Sequence, residues 1–415
     1  MPKDTHTLEE VVQPESRAPD SASRRRFLGS AGLFSAAAIL GVSVPLQMTS
    51  TRAFAQAGAI DGKDGLAVLN DRPLNAETPA HLLDDPITPT SRHFIRNNGL
   101  EPMDVDPDTW TLTIDGNVDN PLELSIADLR ERFEVVTMAL VIECGGNGRA
   151  YFNPPASGNQ WTVGAVGCSE WTGVRLKDVL EEAGVQSSVV YTGHYGADEH
   201  LSGDPDLIPI SRGLPIEKAM TDNVLIAFEQ NGEPIHIHNG APLRLVVPGW
   251  PGSCSQKWLT RIQLRDQVHD GPKMGGTSYR VPGYPIAPGQ EIPEEDFVIM
   301  ERMPVKSLIT HPADGDEIGG ETQVRGHAWS GDRTIRQVDI STDFGATWQT
   351  AELDEPANDG AWQNFRLDVS LPESGYYEIW ARATDDEDEM QPFAIAWNPK
   401  GYLNNSMHKV AVRSS

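Results

Sequence analysis

The chain has 415 residues and a net charge of −27, from 33 Lys and Arg against 60 Asp and Glu. That length argues for two or three domains, and a hydrophobic fraction of 39% with 10 Trp excludes global disorder. The acidic balance, with no basic stripe beyond residue 55, excludes a general nucleic-acid binder; three cysteines without a C-x-x-C pair exclude a disulfide scaffold, a zinc ribbon and a covalently attached c-type haem in this chain.

Near the amino terminus, Ser23-Arg24-Arg25-Arg26-Phe27-Leu28 precedes a small apolar run, Gly29 to Pro45, and then the small-x-small triplet Ala53-Phe54-Ala55. This is the pattern of a cleavable export signal of the twin-arginine type over residues 1–55. The apolar run is too short and interrupted to span a membrane well, so no stable insertion is expected after cleavage. The route carries folded proteins, which suits a chain loaded with a cofactor before export. Residues 56–90, rich in Asp, Pro, Asn and Thr, read as an extended lead-in on the surface.

From Trp110 the pattern is mixed α and β. Trp110 to Ile114 alternates as a strand, Asp115-Gly116 turns, and Ser125 caps a helix from Ile126 to Phe133. Thr137 to Ile142 is a continuous apolar run suited to a buried strand. Leu176 to Ala183 fits a short helix closed by Gly184. Val224 to Phe228 and Leu243 to Val247 are further buried strands. Pro282 to Pro293 carries four prolines and reads as a linker. Beyond about residue 300 helical periodicity ends. Strand runs at 323–329, 336–342, 347–353, 365–371 and 376–384, with a turn at Asp343-Phe344-Gly345, suggest an immunoglobulin-like β-sandwich. The domains are thus drawn at 91–297 and 298–415.

Several motifs can carry chemistry. In Glu143-Cys144-Gly145-Gly146-Asn147-Gly148-Arg149 a cysteine ends a buried strand and enters a glycine-rich turn, with an arginine five residues on. A thiolate so placed serves as a nucleophile or a metal ligand; a buried structural thiol is the bland alternative. Cys168 and Cys254 lack charged neighbours and read as structural. His236 and His238 are spaced to bind a metal from a strand, but no third ligand stands at matching spacing. Arg96 follows His93-Phe94-Ile95, Lys257-Trp258 ends a loop before a strand, and Tyr279 lies in a Gly/Pro-rich loop from which it can reach over a site. Asp385 to Glu389 are five consecutive acids and read as a solvated loop, with basic partners as the other use.

Taken together, residues 90–410 resemble the sulfite oxidase family of molybdenum enzymes, and more closely its bacterial periplasmic sulfite dehydrogenases. Cys144-Gly-Gly-Asn-Gly-Arg149 is similar to the family's Cys-x-Gly-Asn-x-Arg loop. Trp161-Thr-Val-Gly-Ala-Val, Trp171-Thr-Gly-Val, Asn231-Gly-Glu-Pro, Gly240-Ala-Pro-Leu-Arg244 and Lys257-Trp258-Leu259 follow in the family's order. Val305-Lys-Ser-Leu-Ile-Thr, Gly326-His-Ala-Trp-Ser-Gly331 and Trp397-Asn-Pro-Lys-Gly401 resemble its C-terminal domain.

The resemblance implies an α+β molybdopterin-binding domain of the sulfite oxidase fold followed by a β-rich dimerisation domain. It implies a molybdenum ion held by one molybdopterin dithiolene, two oxygen ligands and the Cys144 sulfur, and the oxidation of sulfite to sulfate. Arg96, Arg149 and Tyr279 would bind sulfite, Trp161 would line that pocket, and Lys400 would supply its third charge. Arg244 and Lys257 would hold the pterin phosphate or ring edge, with Asn98 and Asn239 contacting the pterin. Asn98 and Asn239 stand where the family often has His, and Lys400 where vertebrate enzymes carry Arg, a better bidentate anion binder. With no haem domain or C-x-x-C-H motif in this chain, electrons would leave to a separate c-type cytochrome, whose basic patch would complement the acidic surface. A periplasmic homodimer is expected. The competing readings are a sulfane dehydrogenase, a sulfoxide reductase (a group that usually lacks the C-terminal domain), a cysteine hydrolase with Cys144 as nucleophile, and a non-enzymatic exported binding module.

Overall fold

The computed structural model describes residues 60–415, so the signal expected over 1–55 lies outside the described residues. The stretch expected to lie as a lead-in on the surface builds a small sheet instead. β1 (Ala67–Asp71), β2 (Leu74–Glu77) and β3 (Ile95–Arg96) pair antiparallel in that order. Ala76, Glu77, Leu83, Thr88, His93 and Ile95 are buried. The correction has a physical cause: the polar groups of this segment find partners far along the chain. Glu77 accepts from the Thr162 N–H at 2.8 Å and the Thr162 hydroxyl at 2.9 Å. Thr88 donates its N–H to the Cys168 carbonyl at 2.6 Å. Backbone and carboxylate groups satisfied in this way can leave water, whatever their composition suggests.

β4 (Thr111–Gly116) and β5 (Leu122–Ser125) lead into α1 (Ile126–Arg132). Ser125 caps this helix as expected. Its Oγ accepts from the Asp128 N–H at 3.0 Å while the Asp128 carboxylate accepts from the Ser125 N–H at 2.9 Å. β6 (Val135–Glu143) pairs along its whole length with β7 (Val166–Arg175), which feeds α2 (Leu176–Ala183), closed by Gly184 at φ +71. Then come β8 (Tyr191–Gly196), α3 (Ile216–Ala219), β9 (Leu225–Gln230), β10 (Glu233–Pro234), β11 (Arg244–Val246) and β12 (Leu259–Arg265). They close two sheets. One runs β10-β9-β7-β6, with β11 also paired to β9; the other runs β5-β4-β12-β8. A core including Leu112, Ile114, Leu129, Val179, Ile226, Leu245 and Ile262 joins them to the helices. Among the described residues no helix is long and apolar enough to cross a membrane.

β13 (Arg280–Pro282) and β14 (Phe297–Ile299) pair antiparallel. The proline-rich stretch between them is therefore an out-and-back loop rather than a tether. The second part has two sheets. β15 (Lys306–His311), β17 (Glu321–Trp329), β21 (Gln363–Ser370) and β20 (Glu352–Leu353) form one. The other is β16 (Glu317–Ile318), β23 (His408–Ser414), β22 (Gly375–Asp385), β18 (Ile335–Ser341) and β19 (Gln349–Thr350). Both contribute to one core, with Val324, Phe365 and Val369 from the first and Val338, Ile379 and Val410 from the second. The single strand expected over 347–353 is broken at Ala351, where the chain passes from β19 on one sheet to β20 on the other. In the acidic run Asp386 to Glu389 are exposed, as expected, and only Asp385 departs from that reading: it is buried and accepts from the Ser330 hydroxyl at 2.9 Å and the Glu389 N–H at 2.9 Å, with Arg333 beside it at 3.6 Å.

The two parts meet in an apolar cluster of Leu83, Val141, Cys168, Leu308, Trp329 and Trp362. His327 stacks on Trp362 at 3.8 Å and its Nε2 lies 2.6 Å from the Leu83 carbonyl. The segment expected to be peripheral thus holds both parts together.

Candidate active site

β6 starts at the surface and becomes fully buried toward its end. It delivers Glu143 and then Cys144 to a tight turn, in which Asn147 donates its N–H to the Cys144 carbonyl at 2.8 Å. Gly148 takes φ +90, and a Cβ there would lie 2.9 Å from Asn404. Glycine is required on both counts. Glu143 faces β15: its carboxylate accepts from Lys306 Nζ, from Asn147 Nδ2 at 3.0 Å and from Trp329 Nε1 at 2.9 Å.

Cys144 opens instead on a cleft. Arg96 and Asn98, at and just beyond β3, line it together with Asn239, Arg244, Lys257 and Tyr279. Seven of the residues singled out in the sequence therefore share one wall. Arg96 Nη2 donates to Asn98 Oδ1 at 2.8 Å and to the Tyr279 hydroxyl at 3.2 Å, and that hydroxyl donates to Asn98 Oδ1 at 3.0 Å. Burial works against the Arg96 charge, but Tyr279 and the Cys144 thiol outweigh it and raise its pKa. An always-protonated guanidinium facing the sulfur can hold a thiolate or an anion and cannot act as a base.

Two positive side chains of the cleft, Arg244 and Lys257, stand close together with Lys63 beside them. Arg244 donates to the Asn239 carbonyl at 2.6 Å and the Ser255 carbonyl at 3.1 Å, and its Nε has no partner. Lys257 Nζ donates to the His238 carbonyl at 2.8 Å and to Asn97 Oδ1. Lys63 Nζ donates to Asn239 Oδ1 at 2.5 Å and to the Thr90 carbonyl at 2.6 Å. Burial, with the neighbouring Arg244 charge, lowers Lys63 to about 7 and Lys257 well below its usual value; burial alone brings Arg244 to about 9. Two carboxyls stand beside these cations. Glu101 is taken by His238 Nδ1, and burial pushes Asp198 up to about 6. Three cations held against their own ionisation make a receptor for a bound anion.

Three expected site residues stand behind this wall. Arg149 does not line the cleft: its Nε donates to the Lys400 carbonyl at 2.6 Å and its Nη1 to the Asn159 carbonyl at 2.8 Å. Lys400 meets Arg149 through its backbone, leaving its half-buried ammonium out of the lining. Trp161 is 1% exposed and packs edge-on to Phe94 at 6.5 Å, inside the core cluster that includes Cys144. For Arg149 the segment 397–404 lies against the turn, and its Lys400 carbonyl takes the guanidinium that the resemblance assigns to a ligand.

The structure also brings in residues that the sequence reading passed over. Lys63 is a lone lysine in an acidic, glycine-rich stretch, and nothing local marks it for burial. Asp198 flanks β8, and Tyr402 lies five residues beyond Trp397. His236 and His238 have rings 5.1 Å apart, but among the described residues no cluster of three or more His, Cys, Asp or Glu could hold a metal ion. Cys168 and Cys254 are buried and free, and burial pushes the Cys168 thiol up to about 12.

Comparison with known proteins bears on this site directly. Residues 98–273 match the family model for an oxidoreductase molybdopterin-binding domain, and residues 297–415 match that for a Mo-co oxidoreductase dimerisation domain. Mitochondrial sulfite oxidase of Macaca fascicularis is 35% identical over 367 residues, spanning 84% of this chain and 65% of that protein. Sulfite oxidase of Gallus gallus is 32% identical over 362 residues, spanning 83% of this chain and 77% of that protein. The crystal structure of the sulfane dehydrogenase SoxCD from Paracoccus pantotrophus superposes with a TM-score of 0.70 at 30% identity, over 87% of this chain and 91% of that one.

Proposed function

The chain belongs to the sulfite oxidase family of molybdopterin oxidoreductases, and on that premise we propose that it oxidises sulfite to sulfate and passes the electrons one at a time to a separate c-type cytochrome. Sulfite and water give sulfate, two protons and two electrons. The observation that carries the reading is the convergence of Cys144, Arg96 and Tyr279, from three distant segments, on a cleft that Arg244 and Lys257 also line.

The donor set fits a molybdenum–molybdopterin group. A soft thiolate suits the metal, and the unpartnered Arg244 Nε with the Lys63 and Lys257 charges suits a pterin phosphate. When bound, that group supplies the two-electron change and the oxygen-atom transfer. Cys144 would hold the metal. Arg244 and Lys257 would hold the phosphate, and Asn239, its amide fixed by Lys63 and by the Phe94 carbonyl, would meet the pterin edge. Arg96, with Tyr279 and Asn98 fixing its guanidinium, would orient the sulfite anion.

Export by the twin-arginine route to the periplasm, an immunoglobulin-like second domain and pairing of two copies through residues 297–415 complete the proposal. Oxidation of sulfane sulfur is the second reading, favoured by the likeness to SoxCD.

The test is molybdenum content and sulfite-dependent cytochrome c reduction, measured on protein from a host that makes molybdopterin. One molybdenum per chain with turnover is expected. Cys144→Ser should lose essentially all turnover while unfolding at the native temperature, since oxygen replaces sulfur poorly at a soft metal. Full turnover in that variant would remove Cys144 from the metal. Loaded protein that oxidises only sulfane sulfur would transfer the assignment to the second reading.

A further inference from the structure

Tyr279 reaches the cleft from a backbone at φ +52, a left-handed conformation that a tyrosine keeps only when its surroundings hold it there. Its carbonyl accepts from the Met300 N–H at 3.1 Å, and two contacts hold its ring. The Arg212 guanidinium carbon lies 5.0 Å from the centre of the Tyr279 ring. Tyr402 stacks on Tyr279 with centroids 5.8 Å apart and planes within 20°. The chain of contacts ends on Arg149, whose guanidinium carbon lies 4.9 Å from the Tyr402 ring centre. Two arginines and two tyrosines thus form one connected series beside the Cys144 turn.

Arg212 is held without a counter-charge. It is 1% exposed, donates to the Lys273 carbonyl at 3.0 Å, and has no carboxylate within ion-pair distance among the described residues; its Nε is unpartnered. A buried guanidinium without a carboxylate is destabilising unless a ring face or polar groups offset it. The Tyr279 ring is one such offset.

Tyr402 comes from the other part of the molecule, within the segment matched to the dimerisation domain. It is tied down on both sides. Asn398 accepts from the Tyr402 N–H at 3.1 Å and donates to the Tyr402 carbonyl at 3.0 Å. Leu403 donates its N–H to the Gly145 carbonyl at 2.9 Å, and Asn404 Nδ2 donates to the Gly148 carbonyl at 2.9 Å. The residues flanking Tyr402 are therefore bonded to the turn that carries Cys144. The Tyr402 hydroxyl makes only a 3.4 Å contact with the Tyr279 N–H, so its ring rather than its oxygen makes the main contact.

We propose that Tyr402, supplied by the second domain, is a positioning residue of the active site. With Arg212 it clamps the Tyr279 ring, so that the Tyr279 hydroxyl meets Arg96 and Asn98 and the anion pocket keeps its shape. The proposal rests on the reading that this cleft binds sulfite. It makes the second domain part of the site, not only a surface for pairing.

The test compares Tyr402→Leu, Tyr402→Phe and Arg212→Met as loaded holoenzymes, with rates expressed per molybdenum. Tyr402→Leu should raise the sulfite KM about tenfold and change kcat less than about twofold, because the loss falls on anion binding. Tyr402→Phe should stay within about twofold of the native KM, since the ring remains. Arg212→Met should raise KM in the same direction, and combined with Tyr402→Leu it should add less than the product of the two single effects. An unchanged KM in Tyr402→Leu, or a Phe variant as impaired as the Leu variant, would overturn the proposal. Native holoenzyme that neither binds nor oxidises sulfite would instead overturn the functional reading on which it rests.

Discussion

Glu143 and Cys144 are consecutive, and the regions they face are opposite in their accounting of charge. On the Glu143 side everything is paired. Lys306, Asn147 and Trp329 share its two oxygens, and the residues involved are buried among apolar groups from both parts of the molecule. On the Cys144 side, Lys63, Arg244 and Lys257 crowd together against carbonyls and amides, and all three are pushed toward their neutral forms. The difference separates two uses of buried charge. At the junction the chain supplies both signs and the charges fix how two sheets meet. In the cleft it supplies an excess of positive charge that Asp198 only partly balances, and leaves the rest to a ligand.

Three substitutions would break or sharpen that contrast. The largest effect on stability is expected for Glu143→Gln, which leaves the Lys306 ammonium buried without a counter-charge. Removing one partner of such a pair costs about 3–5 kcal/mol, readable as a lowered denaturant midpoint. A loss near zero would mean that the junction is no better compensated than the cleft.

Glu77 gives a pH-dependent effect of about 3 kcal/mol at most, from a displacement of its carboxyl from 4.5 to about 7 by burial. The raised value means that the folded chain binds the extra proton between those limits. Its contribution is therefore fully present below pH 4.5 and is lost as pH rises to about 7. Glu77→Gln should flatten the fall in stability over that window. Parallel pH profiles for the two proteins would show that another group carries it.

The smallest effect on the fold should come from the cleft. In cofactor-free protein, Lys257→Met removes a charge that is held against desolvation, so stability should change by less than about 1 kcal/mol. The same variant should retain less molybdenum and less pterin after gel filtration. A large loss of stability without a change in retention would place Lys257 among the structural charges instead.

Some of this architecture was legible in local chemistry. The Ser125 cap, the helix closed by Gly184, the strand into Cys144 and the glycines of the turn each depend on neighbours within a few residues, and each stands where the sequence placed it. The lead-in was misread because its burial depends on Thr162, Cys168 and His327, which are far along the chain. The placing of Arg149 also depends on a distant group: it stands five residues from the thiol, but its guanidinium is held by a carbonyl 251 residues away.

The sequence by itself determined the family, the thiol-bearing turn, and the set of arginines, lysines and tyrosines from which a site would be drawn. The tertiary structure decided which of them face the cleft, that Lys63 joins the cation cluster, and that Tyr402 from the second domain braces Tyr279. The division follows from the physics. Caps, turns and strand periodicity are set by interactions between near neighbours, whereas the direction of a buried charge is set by whichever distant group packs against it.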